Sequence, residues 1–389
     1  MLKNFREKDI KLSPQAVDGY HLLASAVILG IFAFFIGLVY WNLLPPRKDL
    51  YNELWGPAYL LVNGKSPYDT TPLNSNLPAA WLPMSIGFFA PIGWLDERAA
   101  LLFWFVFNLV EICLVVLIAQ GEYKPAYLAF ITALFAFAFP PAIYHLMLGQ
   151  FSLTTTLCAI IAARLIAREK HWLGAFFLAL ALSKPHLMSV MMLGLSAWYF
   201  RRGGAKSMLG FWLKIAFAAM LLCLPLFIGY PNWIPDALAS MTSNEPWAFP
   251  TLLKLFTLNF GGWGIAPWGG IVVGIVAAAI FLWKRFDVIA STYWSLGLAL
   301  LISPYLGSWD FVTLLPIIVF AFMKSGWKGR LVIVFSYLLA WYGMAFIQAL
   351  EESHNHYFWW IPVWFMAVAA VAARWMPAPP KHDVPQFTG

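Results

Sequence analysis

The chain has 389 residues, 61% of them hydrophobic and only 11% charged, with a mean hydropathy of +0.72. A soluble domain carries about 25% charged residues, so this composition excludes a water-soluble globular protein and indicates a polytopic membrane protein. The net charge of +7 does not argue for nucleic-acid binding, because the cytoplasmic loops of membrane proteins are basic in any case.

The first apolar run covers roughly residues 21–44. It has no small-residue cleavage site near its end, so it reads as a retained span and not as a signal peptide. A polar stretch, 47–69, follows directly. Leu50, Leu54, Ala58 and Leu61 recur there at three- or four-residue steps, while Asp49, Asn52 and Glu53 share another face. That spacing predicts a short amphipathic helix. Gly64 suits its C-terminal cap, and Ser66-Pro67 forbids continuation. The next run, 81–95, holds Pro83, Gly87, Pro91 and Gly93 and falls short of the ~20 residues a crossing helix needs. It reads as an interfacial companion of the first-loop helix. Further apolar runs centre on 99–119, 125–143, 151–167, 172–183, 186–200, 208–228, 264–283, 288–303, 310–323, 331–350 and 357–374. Cys113, Cys158 and Cys223 fall far apart within such runs, so neither a disulfide framework nor a zinc site is indicated.

Charge placement sets the topology. With 81–95 not crossing and the N-terminus inside, only Arg47, Lys48, Lys65, Arg98, Lys184 and Lys254 lie outside, leaving nineteen of the 25 basic residues on the cytoplasmic side. If 81–95 crossed, every later basic cluster would fall outside. The prediction is an all-α membrane domain over 1–375 with about twelve spans and both termini cytoplasmic. It has a first outer loop at 45–98 and an aromatic outer loop at 231–262, and residues 376–389 read as a disordered cytoplasmic tail. No internal repeat stands out, which weakens an inverted-repeat transporter.

The same topology collects the unusual polar patches on one face. They are the Asp49 region, Gly149-Gln150-Phe151-Ser152, Ser183-Lys184-Pro185-His186, the long loop from Pro231 to Gly262, Ser303-Pro304 to Asp310, and Glu351 to His356. A single extracytoplasmic site explains that concentration better than scattered solubilising loops do. Asp49, near headgroup depth and beside Arg47 and Lys48, can accept a proton from a hydroxyl; a helix N-cap is the alternative. Glu53, one turn on, can orient Asp49 or a substrate. Lys184 interrupts an apolar stretch where an ammonium is costly unless it serves something, and a cation there suits a lipid-linked phosphate. A loop lysine at the membrane surface is the other reading. Gln150 offers amide donors and an acceptor to a sugar or a carboxylate. Asp310 opens a span, with N-capping as the leading alternative. His354 and His356 read as a solvated loop before a metal pair. Asn108 and Glu111 share a mid-span face, as a proton path or as helix–helix hydrogen bonding would require. In the loop 231–262, Trp233, Trp247, Phe249, Phe256, Phe260 and Trp263 read as an interfacial lid.

In order along the chain, several short motifs resemble glycosyltransferase family 87. Asp49-Leu50-Tyr51, Ala58 and Asn63-Gly64-Lys65-Ser66-Pro67-Tyr68 resemble its first-loop pattern. Pro140-Pro141 with Gly149-Gln150, Lys184-Pro185, and Ser303-Pro304 with Ser308-Trp309 are similar to later ones. The resemblance implies a GT-C fold and a bacterial plasma-membrane enzyme that moves mannose or another hexose from a polyprenyl-phosphate donor to a lipid or glycan acceptor, with inversion. Asp49 is then the base, Lys184 and His186 bind the donor phosphate, and Glu53, Tyr68, Gln150, Trp309 and Asp310 contact substrate. The partners are the lipid-linked donor, the acceptor and membrane lipids, with no nucleic acid. No cofactor is implied, and nothing in the sequence calls for a divalent metal. Two positions depart from the family pattern: Ser152 stands where the family often has Asn, and Asp310 where it commonly has His. The rivals are a lipid-linked-sugar flippase or transporter, a polysaccharide polymerase or ligase using a diphosphate-linked donor, and a non-catalytic scaffold.

Overall fold

The computed structural model describes residues 14–43, 49–73, 83–121, 126–242, 249–350 and 355–376. Arg47, Lys48, Trp247, the Glu351–His354 segment and residues 377–389 of the expected tail lie outside the described residues.

Among the described residues the regular elements are all helical. In chain order they are α1 (Pro14–Leu43), α2 (Gly56–Val62), α3 (Pro83–Phe88), α4 (Glu97–Gln120), α5 (Ala126–Phe137), α6 (Pro140–Leu148), α7 (Ser152–Ala167) and α8 (His171–Ala181). Then come α9 (Pro185–Gly229), α10 (Trp233–Thr242), α11 (Leu252–Phe260), α12 (Ile265–Arg285), α13 (Val288–Ile302), α14 (Leu315–Lys324), α15 (Trp327–Gln348) and α16 (Trp360–Ala372). Six helical stretches among the described residues are long and apolar enough to cross a membrane, and a bent pair in α5 and α6, angled by 53°, makes a seventh if it is one span. The chain is a multi-pass membrane protein.

Local chemistry explains several element ends. Asp96 caps α4 by accepting from Ala99 N at 3.0 Å, and Asp287 caps α13 by accepting from Ile289 N and Ala290 N at 2.8 Å. Helix α9 is continuous by hydrogen bonding, yet its backbone leaves the helical region at Gly203 and Gly204. Beyond that break Trp212 Nε1 donates to Ser196 Oγ at 3.0 Å, and Tyr199 stacks on Phe211 with centroids 4.2 Å apart. A straight helix would separate residues sixteen apart by about 24 Å. Helix α9 is therefore a hairpin of two arms, turning at the basic Arg201–Lys206 segment that charge placement puts between two spans.

The first loop buries the predicted stripe: Leu50, Leu54, Ala58 and Leu61 are all at most 2% exposed. One detail differs from a regular amphipathic helix. Leu50–Trp55 is wound as a π-turn, closed by Gly56 N donating to Tyr51 O. Pro57 supplies the reason: it has no N–H, and its ring crowds the carbonyl four residues back, which opens the preceding turn. Asn63 and Gly64 (φ 68°) end α2, as the C-cap reading anticipates. The run 81–95 is two short pieces, α3 and a 3₁₀ turn at Ala90–Trp94, each well short of a crossing. The 3₁₀ turn packs backbone to backbone on α2, and Trp55 Nε1 ties the two by donating to Leu95 O at 3.1 Å.

The core lies where α4, α7, α13 and α14 meet. Ile112, Val115, Ala159, Ala163, Leu296 and Ile317 are wholly buried there. Alanines on α7 let the neighbouring backbones approach, which matters in lipid because apolar burial alone does not drive helices together.

Candidate active site

Four of the sequence-selected residues, Asp49, Gln150, Lys184 and Asp310, converge, and each stands at a helix end. Asp49 precedes the π-turn, and Gln150 follows Gly149, which closes α6 in the left-handed conformation (φ 72°, ψ 37°). That geometry favours glycine, and it turns the chain so that Gln150 and Ser152 point into the bundle end. Lys184 lies between α8 and α9, where Pro185 starts the next helix. Asp310 sits in a 3₁₀ segment, Ser308–Leu314, leading into α14.

The centre is Lys184. Its ammonium donates to Gln150 Oε1 at 2.9 Å, Ser152 Oγ at 2.9 Å and Asp310 Oδ1 at 2.8 Å. All three of its donors are thereby used. Ser152 donates its own hydroxyl to Asp310 Oδ1, and Gln150 Nε2 donates to Asp49 Oδ2. The other oxygen of Asp310 accepts from Gly307 N at 2.8 Å, so Asp310 is both the cap of its 3₁₀ turn and the counter-ion of Lys184. Asp49 makes no capping bond; its bonded oxygen is turned to Gln150 instead. Lys184 is 8% exposed, Asp310 3% and Gln150 2%, while Ser152 is fully buried. Such a cation is stable here only because its partners satisfy it. Burial pushes the Asp49 carboxyl above its ordinary range, and the negative charge of Asp310 adds to this; the Gln150 hydrogen bond and the Lys184 charge oppose it.

A second layer holds the first. Trp104 Nε1 donates to Gly149 O at 2.8 Å, and its ring lies parallel to that of Phe151. Asn108 Nδ2 donates to Trp104 O at 2.9 Å, and Asn108 Oδ1 meets His145 Nε2 at 2.8 Å. Thr156 and Thr313 join α7 to the Asp310 segment at 3.2 Å. Ser152, Trp104 and His145 carry structural weight here but were not among the expected site residues. For His145 a signal was present, since an imidazole inside an apolar run calls for a partner. Glu111, one turn further along α4, faces Thr154.

The remaining expected residues are placed differently. The ring of His186 packs on Tyr305 with centroids 4.3 Å apart, and both its nitrogens are shielded and without a hydrogen-bond partner. Trp309 lies over Gly307, beside Asp310. Glu53 is half-buried in the π-turn. Tyr68 belongs to a separate cluster with Leu61, Cys223 and Trp233, and its buried hydroxyl has no partner. In the expected lid, Trp233 is buried in that cluster, while Trp263 is 85% exposed. Among the described residues, no three His, Cys, Asp or Glu side chains converge as metal ligands.

These features define a multi-pass membrane protein with a buried polar centre built from the ends of its helices. The chain belongs to glycosyltransferase family 87, whose sequence model matches residues 83–304, more than half of its length. It is accordingly a membrane glycosyltransferase, with a sugar donor and an acceptor as substrates, which favours transfer over the flippase and scaffold readings. The matched segment contains Gln150, Ser152 and Lys184; Asp49 and Asp310 flank it. Ser152 and Asp310, the two positions the sequence reading set apart, are bonded to each other. No curated protein and no solved structure gives a significant match.

Proposed function

We propose that the protein is an inverting hexosyltransferase of GT-C type that takes mannose or a related hexose from a polyprenyl phosphate and passes it to a lipid or glycan acceptor outside the bacterial plasma membrane. One observation carries this reading: Asp49, Gln150, Lys184 and Asp310, drawn from four distant parts of the chain, form one buried hydrogen-bonded cluster. The acceptor oxygen attacks the anomeric carbon as the carbon–oxygen bond to phosphate breaks on the opposite face. Its proton passes to Asp49, and the polyprenyl phosphate leaves with the bonding electron pair. Lys184 stabilises the departing phosphate. Since its three donors are already engaged, a phosphate oxygen enters by replacing one of the present acceptors. His186, with two nitrogens that have no protein partner, adds a second contact. Trp309 and Glu53 complete the substrate surface, while Tyr68, buried in its own cluster with Leu61, Cys223 and Trp233, supports the first loop. The fold reading that goes with this is about twelve spans over residues 1–375 with both termini cytoplasmic, supported by charge placement, by the hairpin in α9 and by the short apolar helices α7, α8 and α13.

The test is transfer from radiolabelled polyprenyl-phosphate mannose to a total bacterial lipid extract by the purified protein. The expected result is a labelled product with the wild type and none with Asp49→Asn, which keeps the shape and removes the base. Undiminished transfer by a normally inserted Asp49→Asn protein would falsify the assignment of the base. A labelled product formed only from a diphosphate-linked oligosaccharide would favour the polymerase or ligase reading.

A further inference from the structure

Gln150 bridges the two charged groups that matter most, and the bridge has a definite sense. An ammonium can only donate and a carboxylate can only accept. Amide orientation is ordinarily a matter of assignment, but here the neighbours decide it. Lys184 must meet the amide oxygen, and Asp49 must therefore meet the amide nitrogen, the arrangement observed. The opposite flip would set Lys184 N–H against the amide N–H and Asp49 oxygen against the amide oxygen. The backbone below is held as firmly: Gly149 is in the left-handed conformation, its carbonyl is bound by Trp104, and Phe151 lies against the same indole. With an exposure of 2%, Gln150 has little surface left to offer a sugar.

We infer that Gln150 is a positioning residue for the base: locked by Lys184, it holds one oxygen of Asp49 by an N–H bond, aims the other at the acceptor hydroxyl and favours the ionised carboxylate. This rests on the reading of Asp49 as the base, and it replaces a sugar-binding role for Gln150. A hydrogen bond donated to a carboxylate lowers its pKa, here against the upward push of burial. Its loss makes Asp49 harder to ionise, and the acid limb of the rate profile moves to higher pH. Among the described residues, Gln150, Lys184 and Asp310 act on the Asp49 carboxyl, and only Gln150 is altered in the test.

The experiment measures kcat and the donor KM across pH for the wild type, Gln150→Leu and Gln150→Met, with radiolabelled polyprenyl-phosphate mannose and the lipid extract as acceptor. Met keeps the length of the side chain, adds no charge and offers Asp49 no N–H, so it covers the case in which Leu fails to fold. Both variants are expected to lose kcat by roughly 10- to 100-fold and to move the acid limb up by about one pH unit or more, with the donor KM within about twofold of wild type. An acid limb that stays in place in both variants overturns the inference, and a raised donor KM alongside it returns Gln150 to the sugar. Asp49→Asn is assayed in parallel. If that variant retains full transfer, the base itself is misassigned; if it is dead while the limb is unmoved, only the role of Gln150 falls.

Discussion

A carboxylate that serves as a base must stay ionised where burial disfavours charge. Asp49, the proposed base, is in that position. Its folded pKa lies above the ordinary carboxylate value, so folding favours its neutral form. The sign follows from linkage: the native state binds the extra proton, so the penalty is absent well below the ordinary value. It grows as pH rises through the folded pKa and is complete above it. At neutral pH Asp49 therefore costs stability, and Asp49→Asn is expected to abolish transfer without lowering the melting temperature in detergent, or while raising it slightly. A fall of several degrees would mean that the carboxylate is chiefly structural. Such opposition of stability and activity is common at active sites. At this scale the sequence makes the individual residues visible: Gln150 follows Gly149 and Lys184 precedes Pro185 within apolar chain, Asp49 lies in the polar stretch after the first span, and Asp310 opens a later span. It does not show their pairing. Lys184 meets Asp310 across 126 positions, and a serine at a helix start, as Ser152 is, looks like an ordinary cap until its hydroxyl is seen on Asp310.

At the scale of elements, the first loop depends on a close approach that tolerates no side chain. A Cβ on Gly93 would lie 2.4 Å from the carbonyl carbon and oxygen of Ala58, both backbone atoms with no flexible end to move aside. Gly93→Ala therefore forces the 3₁₀ turn away from α2, the element that immediately follows the π-turn carrying Asp49. We expect destabilisation of about 1–3 kcal/mol, read as a lower melting temperature, together with reduced kcat from displacement of Asp49. An unchanged melting temperature with full activity would show the loop to be more compliant than this contact implies. The apolar stripe from Leu50 to Leu61 was legible from periodicity, and that 81–95 makes no crossing helix was legible from its length, prolines and glycines. The π-turn was not, because its cause is a missing N–H at Pro57 acting on a turn whose side-chain spacing looks regular.

For the whole molecule, helix direction separates two ends of the bundle, and the proposed outward orientation of the site rests on charge. Helix α7 carries the chain about 24 Å from Ser152 in the cluster to Ala167, α8 returns it to Lys184, and the first arm of α9 leaves again for the turn at Gly203 and Gly204. Arg168, Lys170, Arg201, Arg202 and Lys206 therefore gather at the end of the bundle opposite the cluster, whereas Lys65 and Arg98 belong to the first loop and the start of α4, on the cluster's own side. The structure separates the two ends; that the basic end is the cytoplasmic one is our proposal, from the preference of basic residues for that side. Single cysteines at 65, 98, 170 and 206, all exposed positions, make this testable with a membrane-impermeant maleimide. The native Cys113, Cys158 and Cys223 are buried or half-buried in apolar helices, so they leave a low background. In intact cells Lys65→Cys and Arg98→Cys are expected to label, with Lys170→Cys and Lys206→Cys labelling only after permeabilisation. The reverse pattern would put the cluster in the cytoplasm, within reach of soluble nucleotide sugars, and would remove the main reason for a lipid-linked donor. Labelling of all four in intact cells would mean that α7 and α8 do not cross, and the twelve-span count would fall with them.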